Sequence, residues 1–170
     1  MLHIPSGIIQ DMIAHARKLA PHECCGILSG MDQTVAESYR ITNILAEMAE
    51  QDLSRFDGAK LSDLQRLSPE ERADIAFQMD AREMAMAQRD IRSKKRDLLG
   101  FYHSHTLSPA RPSQTDITIA MEFESYRTKL NLPEPLHLIV SLELADSPEV
   151  RAYRIQDSQA TEVSIQQTSA

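Results

Sequence analysis

The sequence has little cysteine, and its two cysteines are adjacent. Cys24 and Cys25 are neighbours in the chain, and neighbouring cysteines cannot bridge to each other without strong strain, so a disulfide framework is excluded. A zinc site built on these thiols is disfavoured, because their spacing fits no Cys-x-x-Cys pattern. Two side chains on opposite faces of a strand are instead interpreted as small buried hydrophobic residues.

The sequence also lacks a long apolar run, a basic leader and an excess of positive charge. No run approaches the ~20 residues that a membrane-spanning helix needs. The opening residues, MLHIPSGIIQ, have neither the basic segment nor the long apolar stretch of a signal peptide. The formal net charge is −7, whereas general nucleic-acid binders present a basic face. We therefore expect a cytoplasmic protein without nucleic-acid or membrane partners.

The composition and the pattern of apolar residues along the chain are typical of one compact domain. The 170 residues, 42% of them hydrophobic and 25% charged, are enough to bury a sizeable core. Helical and strand-like apolar patterns alternate along the chain. The predicted helices are Pro5–Leu19, Asp80–Lys95 and Ser113–Tyr126, and the predicted strands are Cys24–Ser29, Val35–Ile44, Leu98–Tyr102, Leu136–Leu142, Val150–Ile155 and Thr161–Ile165. This order indicates an α/β (α+β) fold with a mixed β-sheet flanked by helices, a domain over residues 1–165, and a frayed C-terminal tail over 166–170.

Residues 46–72 are less regular and more polar, and we interpret them as an insertion. Leu61, Leu64 and Leu67 indicate a short amphipathic helix, and Ser68-Pro69-Glu70-Glu71 is typical of a second helix start. Three roles stay open for this segment: surface decoration, a lid over a substrate cleft, or a contact in a homodimer.

The stretch LLGFYHSHTLSPARPSQTD, residues 98–116, carries the most chemistry. On an extended strand, side chains alternate between faces, so His103 and His105 point the same way. Ser113 and Asp116 open the next helix, which brings a carboxylate towards the two imidazoles. Three nitrogen and oxygen ligands that leave one position for water are typical of a catalytic zinc site. Each piece also has an ordinary explanation, as polar residues at a strand end and as a capping box.

The spacing of these four residues resembles the signature of the JAMM (MPN+) metalloproteases, which is His-Ser-His, seven residues, Ser, two residues and Asp. The segment PHECCGILSG is similar to the bacterial form of that family's glutamate-bearing strand, with Glu23 in the glutamate's place. Phe77-Gln78-Met79-Asp80 also resembles the family. The likeness extends from about Leu2 to about Ile155. At Thr106 the chain departs from the proline of many bacterial members, which removes no ligand.

The resemblance implies a single-domain JAMM/MPN fold with cytidine-deaminase-like layering. It also implies one catalytic Zn²⁺ held by His103, His105 and Asp116. Glu23 is then the general base that later returns the proton to the leaving amine, and Ser113 donates a hydrogen bond to the developing oxyanion.

The family cleaves peptide or isopeptide bonds after the C-terminal Gly-Gly of ubiquitin-like proteins, and some compact prokaryotic members process sulfur-carrier proteins. A ubiquitin-like or sulfur-carrier protein is therefore the expected partner. Two alternatives come from other classes: a non-catalytic MPN scaffold, whose members usually lack the ligands, and a nuclease-like or DNA-repair-associated relative, which needs a basic cleft.

The remaining histidines have weaker claims. His22 and Cys24 share a strand face, so a nucleophilic dyad is conceivable, but the metal ligands make it superfluous. His137 opens an apolar strand and is interpreted as a core or rim residue. His3 and His15 are predicted to lie on the surface.

Overall fold

The computed structural model describes residues 1–55, 58–130 and 132–169. The strands in this part of the chain are β1 (Leu2–Pro5), β2 (Cys25–Met31), β3 (Thr34–Ile41), β4 (Asp97–His105), β5 (Leu136–Ser141), β6 (Glu149–Gln156), β7 (Gln159–Val163) and β8 (Ile165–Thr168). The α-helices are α1 (Ser6–Leu19), α2 (Gly58–Arg66), α3 (Pro69–Ile75), α4 (Ala81–Ser93) and α5 (Gln114–Leu130). Short 3₁₀ segments cover Leu45–Glu47 and Glu50–Arg55. None of the helices among the described residues is long and apolar enough to cross a membrane.

The described strands form one mixed sheet in the order β7-β6-β5-β4-β2-β3-β1-β8. β4 lies at its centre, antiparallel to β2 and parallel to β5. The C-terminal ends of β4 and β5 therefore meet the N-terminal end of β2 at one end of the sheet. β4 is longer than predicted, since it runs through both histidines to His105. A mixed sheet flanked by helices confirms the predicted fold class.

The two faces of the sheet are covered by different helices. Tyr102 is fully buried in the apolar core around α1, together with Met12 and Leu28. The neighbouring Phe101 points to the other face, where it packs against the α4 side and meets Phe123 of α5 with ring centroids 4.9 Å apart. Because side chains alternate along β4, the two histidines share the face of Phe101. The face under α4 and α5 is therefore the chemically important one.

The sheet curls so that its two edge strands, β7 and β8, are connected directly to each other in the sequence. β7 and β8 stand at opposite ends of the strand order, yet Ser164 alone separates them in the sequence. The Ser164 carbonyl accepts a hydrogen bond of 2.9 Å from the Leu2 amide, and Val163 and Ile165 both pack against the core around α1. α1 is thus enclosed between the first strands and the last.

Two expectations about the chain ends need correction. The prediction of a frayed tail over residues 166–170 is wrong for Gln166–Thr168, because these residues pair in parallel with β1. The sequence also does not predict β1, because a strand of four residues is too short for a clear alternating pattern. Its Leu2 and Ile4 are nevertheless buried, and they supply part of the core around α1.

Residues 45–55 and 58–76, together the segment 45–76, form a small structure with its own apolar cluster. The buried members of this cluster are Leu45, Met48, Leu53, Leu64 and Ala76. The helix predicted around Leu64 is confirmed as α2, and the predicted start at Ser68 is confirmed as a capping box at α3. The buried Arg72 side chain ties the two helices together, since its Nε donates to the Leu64 carbonyl at 2.9 Å.

Candidate metal centre

Three predicted ligands converge where β4 ends. His103 Nε2 lies 3.1 Å from His105 Nε2 and 3.2 Å from one carboxylate oxygen of Asp116, and His105 Nε2 lies 3.3 Å from the other. All three side chains are nearly buried. Ligands held at about 2.0–2.2 Å around a tetrahedral zinc ion are themselves roughly 3.4 Å apart. The ligand atoms of His103, His105 and Asp116 therefore have the separations that one zinc ion requires.

Asp116 owes its position to the start of α5. The backbone N–H of Ser113 donates to Asp116 Oδ2 at 2.7 Å, and the Asp116 N–H donates to Ser113 Oγ at 3.2 Å. This reciprocal pair is a capping box, so the carboxylate that caps the helix is also a candidate ligand. The Ser113 hydroxyl itself donates to Asp116 Oδ2 at 2.7 Å. The contacts of Ser113 and Asp116 therefore agree both with a helix capping box and with a metal ligand held at a helix start.

The carboxylate of Asp116 is ionised at neutral pH. Burial alone raises the pKa of this group, but the neighbouring His103, His105 and Ser113 outweigh burial and hold the pKa well below its usual range. A deprotonated carboxylate is the form that binds a metal ion.

His105 is oriented by the loop that follows β4. Its Nδ1 lies 2.9 Å from the Pro109 carbonyl oxygen, which can only accept, so Nδ1 donates and Nε2 keeps its lone pair for a metal. Burial lowers the pKa of His105, but the hydrogen bonds to Asp116 and to the Pro109 carbonyl raise it overall. The loop around Thr106 is held at Ser108, whose carbonyl accepts from Ser141 Oγ at 2.7 Å.

His103 is held by stacking. The Phe77 ring lies 4.7 Å from the His103 ring, centroid to centroid, with 27° between their planes. Phe77 directly follows the segment 45–76 in the sequence. The stacked pair of Phe77 and His103 therefore connects this segment to a candidate metal ligand.

Glu23 lies on the same face of the sheet as the two histidines. Cys25 pairs with His103 across the β2–β4 ladder, and Ser104 N–H donates to the Cys24 carbonyl at 3.0 Å, which places Glu23 opposite His105. Glu23 is 6% exposed, and its charge contributes to raising the pKa of His105. A cleft of about 320 Å³ opens beside Glu23, between α1, the end of β3 and the segment 45–76, and its lining does not include His103, His105 or Asp116.

The structure does not bring the other candidate residues into this site. His22 Nδ1 lies 2.6 Å from Asp74 Oδ1, while Cys24 is buried in the core around α1, where burial raises the pKa of its thiol to about 12. A His22–Cys24 nucleophilic dyad is therefore wrong. The prediction that Cys24 and Cys25 are buried free thiols is confirmed.

The other histidines are structural. His137 lies beside Phe101, and burial lowers its pKa to about 4, which supports the interpretation as a core or rim residue. The prediction that His15 lies on the surface is wrong, because its ring is buried with Nδ1 2.9 Å from the Tyr102 hydroxyl. His3 is half-buried on β1.

Sequence reasoning missed two supporting residues, Ser104 and Asn43. Ser104 Oγ accepts a hydrogen bond of 2.8 Å from the Cys24 N–H, so a hydroxyl between the two histidines ties β4 to the residue after Glu23. Asn43 Nδ2 donates to the Glu23 carbonyl at 2.9 Å. Neither contact has a local signal, because each joins residues far apart in the sequence.

The chain matches a known protein family and several named relatives. Residues 5–156 match the family described as prokaryotic homologs of the JAB domain. The CysO-cysteine peptidase of Mycobacterium tuberculosis is 26% identical over 162 residues, covering 95% of this chain and 88% of that protein. The desampylase of Haloferax volcanii is 29% identical over 121 residues, covering 68% of this chain and 69% of that protein.

A similar fold is found in a solved structure. The solution structure of a protein from Desulfitobacterium hafniense has a TM-score of 0.70 at 27% identity, with coverage of 100% of this chain and 94% of that one. The shared architecture therefore extends over the whole length of the chain.

Proposed function

This chain belongs to the prokaryotic homologs of the JAB domain, a compact branch of the JAMM/MPN family of peptide and isopeptide hydrolases, and from that premise we propose a zinc-dependent metallopeptidase. Its proposed substrate is the bond that follows the C-terminal Gly-Gly of a ubiquitin-like or sulfur-carrier protein. The observation that carries the proposal is the convergence of His103, His105 and Asp116 on the face of the sheet that also carries Glu23.

His103, His105 and Asp116 would hold the zinc ion. When bound, the ion supplies a Lewis acid for the scissile carbonyl and lowers the pKa of a water molecule towards roughly 7. The protein's own residues keep the ligand atoms in the form that binds a metal ion. The low pKa of Asp116 keeps the carboxylate ready for the metal, and the Pro109 carbonyl keeps the His105 lone pair on Nε2.

Glu23 is the proposed general base. Its carboxylate would accept a proton from the attacking water and return that proton to the departing amine, so that water adds across the amide bond. Ser113 is the proposed oxyanion donor. Since its hydroxyl donates to Asp116, the serine would have to turn towards the substrate to take this part.

The names of the relatives support a small carrier protein as the substrate. One relative is named a CysO-cysteine peptidase and another a desampylase. A Gly-Gly tail suits such a site physically, because residues without side chains pass close to a metal at little steric cost. The full ligand set distinguishes the chain from non-catalytic MPN scaffolds. A homodimer and a cytoplasmic location stay predictions.

Intact-mass analysis of a carrier protein extended beyond its Gly-Gly tests the proposal. The carrier, taken from the same genome, is incubated with the zinc-loaded protein, with a Glu23→Ala variant, and with protein stripped of metal by a chelator. We expect the extension to be lost only with the zinc-loaded wild type, and added zinc to restore the stripped sample. Cleavage by Glu23→Ala at the wild-type rate would remove Glu23 from the mechanism. A zinc-bound protein that cleaves no such carrier would contradict the proposed substrate.

A further inference from the structure

Glu23 stands outside the regular ladder of the sheet. It precedes β2, which begins at Cys25. Its N–H donates to the Ala73 carbonyl of α3 at 2.7 Å, and its carbonyl accepts from Asn43 Nδ2 at 2.9 Å. Both backbone polar groups of Glu23 are therefore bound by groups that do not belong to the neighbouring strands.

Asn43 uses its whole side-chain amide at this point. Besides the bond to Glu23, its Nδ2 donates to the Ala76 carbonyl at 3.1 Å. Its Oδ1 accepts from the Leu45 N–H at 3.1 Å and from the Gln78 N–H at 3.0 Å. A primary amide offers two donor hydrogens and two acceptor lone pairs, so all four are in use. One side chain thus joins Glu23 to both ends of the segment 45–76.

The partners of Asn43 belong to a packed structure. Leu45 and Ala76 are both buried in the apolar cluster of the segment, at 0% and 3% exposure. Phe77, the residue after Ala76, stacks on His103. The junction around Asn43 therefore contacts the backbone of the proposed general base and adjoins the residue that packs on a metal ligand.

We propose that Asn43 is the positioning residue for Glu23, and that the segment 45–76 is a fixed wall of the site. This inference rests on the proposed function. A general base must stay within hydrogen-bond reach of the water it deprotonates, and a misplacement of about 1 Å can cost roughly a hundredfold in rate. Asn43, which lies outside residues 98–116, holds the backbone of Glu23 in position. The segment 45–76 provides rigid support for Asn43.

Asn43→Asp is the informative variant. It keeps an oxygen that accepts from Leu45 and Gln78, but it replaces the two donor hydrogens that bind Glu23 and Ala76. We expect kcat to fall about tenfold to a hundredfold, with KM and the zinc content of the protein unchanged. Gln33→Glu is the matched control, because it makes the same amide-to-carboxylate change in the exposed turn between β2 and β3, away from Asn43, Glu23 and the segment 45–76. The control should keep kcat within about twofold of the wild type.

A double-variant test separates positioning from general weakening. If Asn43 acts through Glu23, Asn43→Asp should have no further effect on the residual single-turnover rate of Glu23→Ala. An equal fold-change in both backgrounds would overturn the proposal, as would a kcat for Asn43→Asp within twofold of the wild type. A loss of kcat in Gln33→Glu as large as in Asn43→Asp would also overturn it.

Amide hydrogen exchange tests the positioning even if no carrier is cleaved. In Asn43→Asp the Glu23 N–H should exchange at least about tenfold faster than in the wild type, because its bond to Ala73 is no longer reinforced at the carbonyl side. Gln33→Glu should leave the exchange of this amide unchanged. Unchanged exchange in Asn43→Asp overturns the inference, whereas inactivity of the wild type towards carriers contradicts only the proposed function.

Discussion

The metal half and the glutamate half of the site are held by different kinds of structure. His103, His105, Ser113 and Asp116 come from one stretch of chain, where a strand end, a short loop and a helix start bring them together. Glu23 is held by Asn43 and by Ala73, which are remote in sequence from it. The metal half therefore depends mainly on local geometry, with Phe77 as its remote contact, while the glutamate half depends on a segment with its own apolar cluster.

Truncation of Leu64 weakens the structure that holds Glu23 and should have the largest effect on the free energy of unfolding. Leu64 is fully buried in the cluster of the segment 45–76, so Leu64→Ala should lower the free energy of unfolding by about 2–5 kcal/mol. Denaturant unfolding measures the loss. Leu144→Ala is the control, because Leu144 is 68% exposed and should change stability by less than about 0.5 kcal/mol. An equal effect of both substitutions would show that the segment does not support the fold.

Two N-cap serines allow the metal half to be tested separately. Ser113→Ala removes the cap of α5 and the hydroxyl that holds Asp116, so zinc affinity should fall roughly tenfold to a hundredfold. Ser68→Ala removes the equivalent cap of α3 and should leave zinc affinity unchanged. Competition with a chelating indicator gives both dissociation constants. Similar affinities for Ser113→Ala and the wild type would mean that Asp116 needs no help from the cap.

The smallest effect is expected on the opposite face of the sheet, at His15. Burial, with the charges of Arg40 and Lys18, lowers the pKa of His15 from 6.5 to about 4, against an opposing effect of Asp11. Between these pKa values the unfolded chain binds a proton that the folded chain does not, so stability falls as the pH falls from 6.5 to 4 and is unaffected above this window.

Comparison with His15→Gln isolates this contribution. On lowering the pH from 7 to 5.5, the wild type should lose on the order of 1 kcal/mol more stability than His15→Gln. Urea unfolding at the two pH values gives the difference. Identical losses in the two proteins would mean that folding does not lower the pKa of His15.

The predictability of the site follows the same division. The convergence of the candidate ligands could be predicted because the strand alternation at His103 and His105 and the capping pattern of Ser113 and Asp116 are both local. The role of Asn43 could not, since its four hydrogen bonds join parts of the chain that come together only through tertiary packing. For the same reason the sequence predicts His15 on the surface, because its position in the helix does not reveal that the Tyr102 hydroxyl lies beside it.

The fold shows a similar contrast. Long periodic elements such as α1 and α4 could be predicted to within a few residues, and Asp80 caps α4 as its sequence indicates. The strands β1 and β8 could not, because each is four residues long and each acquires its order from pairing with the other.

The pairing of β8 with β1 has a consequence for how the protein is made. A chain leaves the ribosome from its N-terminus, and α1 precedes β7 and β8, so α1 emerges before the strands that complete its enclosure. Val163 and Ile165 pack on the core around α1, and the Ser164 carbonyl holds the Leu2 amide. The core that encloses α1 is therefore completed only after β7 and β8 have been synthesised, and until then α1 keeps an apolar side exposed.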